Sequence, residues 1–117
     1  MNRYATEGVL RDALAGKRIL VACRDGIHVR NALSDMMRTI EGVGIDDAKV
    51  KTYGASAKIE LPNDRVIYFH RAVSHGIRGL AVDVLVLADG ARDMLKTTAD
   101  VEALHAVLAP DGEMIDA

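Results

Sequence analysis

The sequence contains few cysteine, proline and aromatic residues. Cys23 is its one cysteine, Pro62 and Pro110 are its two prolines, and Phe, Tyr and Trp together make up 3% of the 117 residues. A single cysteine excludes an internal disulfide and favours a reducing compartment. Half of the residues are hydrophobic. We therefore expect one α/β domain over residues 1–117, with a core of aliphatic side chains.

Long apolar runs and a strong charge of one sign are also missing. No stretch approaches the ~20 apolar residues that cross a bilayer, and the N-terminus lacks the apolar segment of a signal peptide. The formal net charge is -2 at pH 7, so the field of the whole molecule does not attract nucleic acid and any basic surface must be local. These features predict a cytoplasmic protein.

The hydrophobic pattern predicts the order helix, strand, helix, hairpin, strand, helix. The predicted segments are residues 4–15, 18–23, 27–41, the hairpin of 58–61 with 65–69, 82–88, and a last helix that includes 101–108 and ends before Pro110. The strands at 18–23 and 82–88 are continuously apolar, which is typical of strands covered on both faces in a parallel sheet. Right-handed crossovers place helices on both faces of such a sheet. The predicted fold is therefore a three-layer, mostly parallel α/β sheet with one β-hairpin.

Polar loops follow three of the predicted strands. Ligands of open parallel sheets bind beyond the carboxyl ends of the strands, where these loops would meet. The candidate binding residues, which we call the loop rim, are Arg24, His28, His70, Arg71, His75, Arg78 and Asp89. In one interpretation the arginines hold phosphates by paired hydrogen bonds. In the other, the rim is a solvated edge with local ion pairs, and both interpretations stay open at this point.

Other kinds of site find less support in the sequence. The spacing of His70, His75 and Asp89 matches no compact metal-ligand motif, so we expect no metal and no cofactor. Ser74 precedes His75 directly, and neighbours in sequence seldom point at each other as a nucleophile and its base must. We expect no catalytic residue, although a small enzyme that acts on a nucleotide or phosphate substrate through its histidines remains an alternative.

Residues 57–92 contain an ordered series of motifs. A hairpin is followed by Arg78-Gly79, a short link ending at Asp83, the four hydrophobic residues 84–87, and Ala88-Asp89. This order resembles the approach to the second acidic motif of P-loop NTPases, and most of all the ATPase core of phage terminase large subunits. Residues 14–22 resemble the end of the first helix and the next strand of that core, so the likeness covers about 4–108. It implies a P-loop NTPase-like fold.

Departures from the family pattern bear on activity. The phosphate-binding loop Gly-x-x-x-x-Gly-Lys-Ser/Thr joins the first strand to the first helix in working members. These 117 residues do not contain it, and we expect the chain to begin after that point. Gly16-Lys17 closes a predicted helix, which is the reverse of the geometry that aims a helix N-terminus at an anion.

The acidic motif departs from the pattern as well. The position of the magnesium-organising aspartate falls on Ala88 and that of the catalytic glutamate on Asp89. A shift by one residue puts Asp89 and Gly90 there instead, and either register is incomplete. Phosphoryl transfer depends on these groups for positioning and charge neutralisation.

The resemblance and its departures together predict a catalytically inactive NTPase-like binding or regulatory protein of phage or mobile-element origin, in the host cytoplasm. Its loop rim would bind nucleic acid or a protein partner. The alternative is a structural protein that self-assembles as a homo-oligomer, because loss of the first strand would leave a sheet edge for a second copy.

Overall fold

The computed structural model describes all residues, Met1–Ala117, as a mixed sheet between two layers of helices. The helices are α1 (Arg3–Leu14), α2 (Gly26–Gly42) and α3 (Thr98–His105). The strands are β1 (Ile19–Cys23), β2 (Lys49–Tyr53), β3 (Ser56–Leu61), β4 (Arg65–Arg71), β5 (Val82–Leu87) and β6 (Leu108–Asp116). Two 3₁₀ turns lie at His75–Ile77 and Ala91–Met94.

The strand order is β2-β3-β4-β1-β5-β6. β1 is central and pairs in parallel with both neighbours, so that Val21 lies opposite Phe69 on one side and Val86 on the other. β6 continues the parallel part beyond β5, while β2 and β3 add antiparallel pairs beyond β4. This arrangement confirms the predicted α/β class. It also places the carboxyl ends of β4, β1 and β5 at one edge.

Helices α1 and α2 cover one face of the sheet. The side chains of Met36 and Ile40 from α2 pack with Phe69 of β4, and all three are fully buried. Each helix begins at a polar cap: Asn2 accepts the backbone N–H of Ala5, and Asp25 accepts that of His28. Such caps satisfy backbone donors that have no partner within the helix. The Asp25 cap therefore marks the start of α2 at Gly26, close to the end of β1.

The opposite face carries a smaller apolar layer built by α3 and the two 3₁₀ turns. Leu104 of α3 packs with Leu20 of β1 and Leu85 of β5, and all three are fully buried. The layer extends as far as Tyr68 on β4, and neither β2 nor β3 contributes a residue to it. One face of the β2-β3-β4 segment is therefore left without a helix. None of the α-helices has the length and apolar character that crossing a membrane requires.

The prediction for the end of the chain was wrong. The last helix stops at His105, and Leu108 begins β6 rather than ending a helix. Pro110-Asp111-Gly112 is typical of a turn, but here it lies within β6, beside a register shift between Val82 and Val84 of β5. Proline is tolerated because β6 is an edge strand whose outer N–H groups need no partner in the sheet.

Candidate functional site

The three polar loops meet at the carboxyl edge of the sheet, but the loop rim is not one cluster. The structure divides its residues between a cleft beside α3, a group around Asp89, and two histidines, His28 and His70, that have local partners. The three groups differ in the hydrogen-bond and ion-pair partners of their side chains. Only the first of them gathers arginines around an open space.

The cleft beside α3 is lined by Arg71, the last residue of β4, and by His75 and Arg78 from the loop that follows. Its volume is about 260 Å³, and α3 lines the opposite wall with Ala99, Asp100 and Ala103. Ser74 caps the short turn by accepting the backbone N–H of Gly76 at 3.2 Å. The loop thereby folds back against α3, which brings Arg71 and Arg78 to the same opening although they are seven residues apart.

Neither arginine of this cleft has a carboxylate partner within 4 Å, and both are exposed. The one acid in the lining, Asp100, is engaged in the cap of α3. Its Oδ2 accepts the backbone N–H groups of Lys96 at 3.1 Å and Thr97 at 3.2 Å. The two guanidinium groups are therefore free to donate paired hydrogen bonds to an anion.

The second group surrounds Asp89, at the end of β5. The Asp89 backbone has a left-handed φ of 43°, and its carboxylate forms an ion pair with the amino group of Met1. Arg24 Nη1 lies 3.4 Å from the point where a Cβ on Gly90 would stand. Arg24 is thus close to the Asp89-Gly90 turn rather than to the cleft beside α3, and Arg92 pairs with Asp116 at 2.9 Å.

His28 and His70 have local partners. His28 Nδ1 lies 2.7 Å from Asp25 Oδ1. The pKa of Asp25 is lowered, chiefly because its carboxylate accepts a hydrogen bond from the backbone N–H of His28 and then because of the bond with the His28 ring. His70 is almost fully buried, with Nδ1 at 2.9 Å from Ser56 Oγ, and burial lowers its pKa. Both histidines are therefore partnered by nearby side chains, His28 at the start of α2 and His70 across β3 and β4, and neither lines the cleft of Arg71 and Arg78.

No three His, Cys, Asp or Glu side chains come together in a way that would hold a metal ion. His70 and Asp89, two of the residues weighed for such a site, are engaged by Ser56 and Met1 respectively. The thiol of Cys23 is fully buried at the end of β1, and burial raises its pKa to about 12. Such a thiol is a poor nucleophile at neutral pH.

Sequence reasoning missed Ser56 and a wide cleft beside it. The cleft has a volume of about 500 Å³ and separates the first turn of α2 from the β2-β3 hairpin. The register that places Ser56 opposite His70 follows from pairs such as Ala57 with Phe69. The short turn at 62–64 could have predicted that Ser56 lies opposite His70, because turn length sets the register of a hairpin.

Comparison with known proteins gives the fold. No family model matches the sequence, and no curated protein matches it. The large terminase of a thermophilic bacteriophage matches with a TM-score of 0.55 and 14% identity over 86% of this chain, and so does its complex with ADP. A variant of the large terminase ATPase domain of Thermus phage P74-26 matches with a TM-score of 0.53 and 12% identity over 96% of this chain.

These likenesses confirm the resemblance to large terminase ATPase domains at the level of the fold. The chain spans 25% of the bacteriophage large terminase and 52% of the Thermus phage domain. Such low identity carries over no residue roles, because one fold supports many functions.

Proposed function

We propose that this chain is a binding protein with a terminase-like NTPase fold that does not hydrolyse ATP, and that it holds nucleic-acid phosphates in the cleft beside α3. The observation that carries the proposal is the pair of exposed, unpartnered guanidinium groups of Arg71 and Arg78 at one opening. Arginine suits this task because its planar donors match the geometry of phosphate oxygens. A basic cleft on a chain of net charge -2 is a local surface of the kind that nucleic acid requires.

The state of the acidic motif supports the proposed lack of hydrolysis. Ala88, at the first of the two motif positions, has no side-chain oxygen for a metal. Asp89 belongs to no group of three or more His, Cys, Asp or Glu side chains that could hold a metal ion. Phosphoryl transfer depends on such acidic groups for positioning and charge neutralisation.

The binding proposal is tested by anisotropy of a fluorescein-labelled DNA duplex at several salt concentrations. We expect the double variant Arg71→Ala/Arg78→Ala to bind about tenfold more weakly or worse, because hydrogen bonds to charged groups are lost. The slope of log K against log salt should also become shallower by about 2, since two phosphate contacts disappear.

The matched control is Arg11→Ala/Arg38→Ala, which removes the same charge from α1 and α2 on the opposite face of the sheet. Affinity equal to that of the parent protein is expected for this control. Equal loss in both double variants would indicate attraction by net charge alone. A third outcome would point to a protein partner instead: neither the parent nor any variant binds DNA, and Arg71→Ala/Arg78→Ala binds an acidic protein ligand more weakly than the parent does.

We expect the chain not to turn over ATP. Phosphate release in the presence of Mg²⁺ should stay at the level of a buffer blank, for the parent chain and for Asp89→Asn alike, because the positions that organise metal and water are incomplete. Release above the blank in the parent that disappears in Asp89→Asn would overturn the proposed inactivity.

The outer edge of β6 bears on the alternative of self-assembly. β6 pairs with β5 alone, so its other side is open to a second copy. The strand nevertheless carries Pro110, Asp111, Glu113 and Asp116, and proline and like charges are devices that keep edge strands apart. We expect light scattering to give the monomer mass at low and high concentration. A mass that doubles with concentration would favour assembly.

A further inference from the structure

A second surface lies on the face of the β2-β3-β4 segment that no helix covers. The strand registers place alternate residues of the three strands on this face. They include Lys49, Lys51, Tyr53, Lys58 and Tyr68. Every residue of β2 is exposed, and Tyr53 exposes 59% of its surface. Two tyrosines and three lysines thus share one open face, in a chain with three tyrosines in all.

The charge of this face is positive. Glu60 is the one acidic residue of the three strands, and its Oε1 lies 2.8 Å from Lys51 Nζ. That pair neutralises one lysine and leaves Lys49 and Lys58 without a carboxylate within 4 Å. An anion is therefore the complementary partner, and an apolar helix or a second copy of the same basic face is not.

Between the tyrosines lies a pocket with a volume of about 320 Å³. Tyr53 and Tyr68 line it together with Lys58, and Leu80 contributes an apolar wall. Ser56 and His70, joined by their hydrogen bond, give it a polar side. Aromatic walls, an apolar contact and polar groups fit a flat heteroaromatic ring with hydrogen-bonding edges.

We propose that this face binds single-stranded nucleic acid, with one base stacked on Tyr53 in the pocket and the adjoining phosphates on Lys58 and Lys49. A basic surface that interleaves stacking aromatics is the arrangement by which proteins hold single strands. A duplex does not fit in the same way, because its base faces are already stacked on one another. The proposal rests on the proposed function in taking nucleic acid as the ligand, but it uses different residues.

The two surfaces are adjacent. Gly76 lines the tyrosine pocket, while its neighbours His75 and Ile77 line the cleft of Arg71 and Arg78. Along β4, Tyr68 on the open face is followed three residues later by Arg71, the last residue of the strand. A single-stranded nucleic acid that leaves the pocket along β4 therefore passes close to Arg71 and Arg78.

The experiment measures anisotropy of a fluorescein-labelled oligothymidylate of about 12 nucleotides, a length within the usual range of single-strand sites, and of a labelled duplex. Tyr53→Ala is expected to weaken binding of the single strand about tenfold, the usual effect of losing one stacked base, and to leave duplex binding unchanged. Tyr53→Phe should restore single-strand affinity because its ring still stacks. Tyr4→Ala, which removes an exposed ring from α1, is the matched control and should bind like the parent.

The outcomes separate this proposal from that for the arginine cleft. Single-strand affinity that is the same in Tyr53→Ala and the parent overturns the proposal, whatever the arginine variants do. Loss in Tyr53→Ala together with normal binding by Arg71→Ala/Arg78→Ala supports this face and overturns the cleft. Because Tyr53 is exposed, circular dichroism should show the same thermal midpoint for variant and parent. If Tyr53→Phe loses as much affinity as Tyr53→Ala, stacking is excluded and the proposal fails.

Discussion

Replacement of Phe69 by alanine is expected to lower the free energy of unfolding by about 3–5 kcal/mol. Phe69 is the one phenylalanine of the chain, is fully buried, and packs in the larger core with Met36 of α2. Its removal leaves a cavity between helix and sheet that aliphatic neighbours fill poorly. The free energy of unfolding of native proteins is about 5–15 kcal/mol in total, so the variant should lose a large part of its stability.

Urea unfolding followed by circular dichroism measures this loss. Thr52→Ala on β2 is the control, because its exposed position predicts a change within about 0.5 kcal/mol. A loss below about 1 kcal/mol for Phe69→Ala would mean that β4 is not packed against α2 as described here, since a well-packed buried ring costs several times more.

Gly112→Ala is the second substitution with a large expected effect. A Cβ at this position would lie 2.9 Å from Leu108 Cδ2, 3.0 Å from the Ala109 carbonyl oxygen and 3.1 Å from that of Asp83. Two of these neighbours are backbone atoms, one within β6 and one on β5, so relief requires the backbone of β6 to change shape as well as to move away from β5. We expect a loss of about 1–3 kcal/mol, the usual cost of overfilling a packed site.

Gly8→Ala is the control for this glycine. It lies within α1 with no atom within 4 Å of the new Cβ, so the alanine should raise the free energy of unfolding by about 0.5–1 kcal/mol through helix propensity. The two substitutions add the same methyl group and should change the urea midpoint in opposite directions. A Gly112→Ala midpoint at or above that of the parent would show that the irregular part of β6 is not held as described.

The elements predicted best from sequence are those whose pattern is decided by burial. β1 and β5 are covered on both faces, so their apolar runs predict both their type and their central place. β2 is exposed on every residue and has no such signal; it exists because its backbone pairs with β3. β6 was missed because Pro110 and Gly112 are typical of a turn, and only pairing with β5 explains their place in a strand.

The place of the candidate site could be predicted from the sequence, but the contacts of its charged side chains could not. Parallel strands implied that the three loops meet at one edge, and the strand order confirms it. The sequence did not indicate which charged groups are already partnered, because those contacts join distant segments, as in Met1 with Asp89. The tyrosine pocket was missed for the same reason: Tyr53 and Tyr68 come together through the register of a three-stranded segment.

The burial of Cys23 has a practical consequence for labelling experiments. Because its thiol is enclosed at the end of β1 and its pKa is raised to about 12, maleimide reagents at neutral pH should pass over it in the folded protein. A cysteine placed at an exposed residue of β2 or α3 can then be labelled selectively without first removing the native one. Probes on either surface thus become available while the core stays intact.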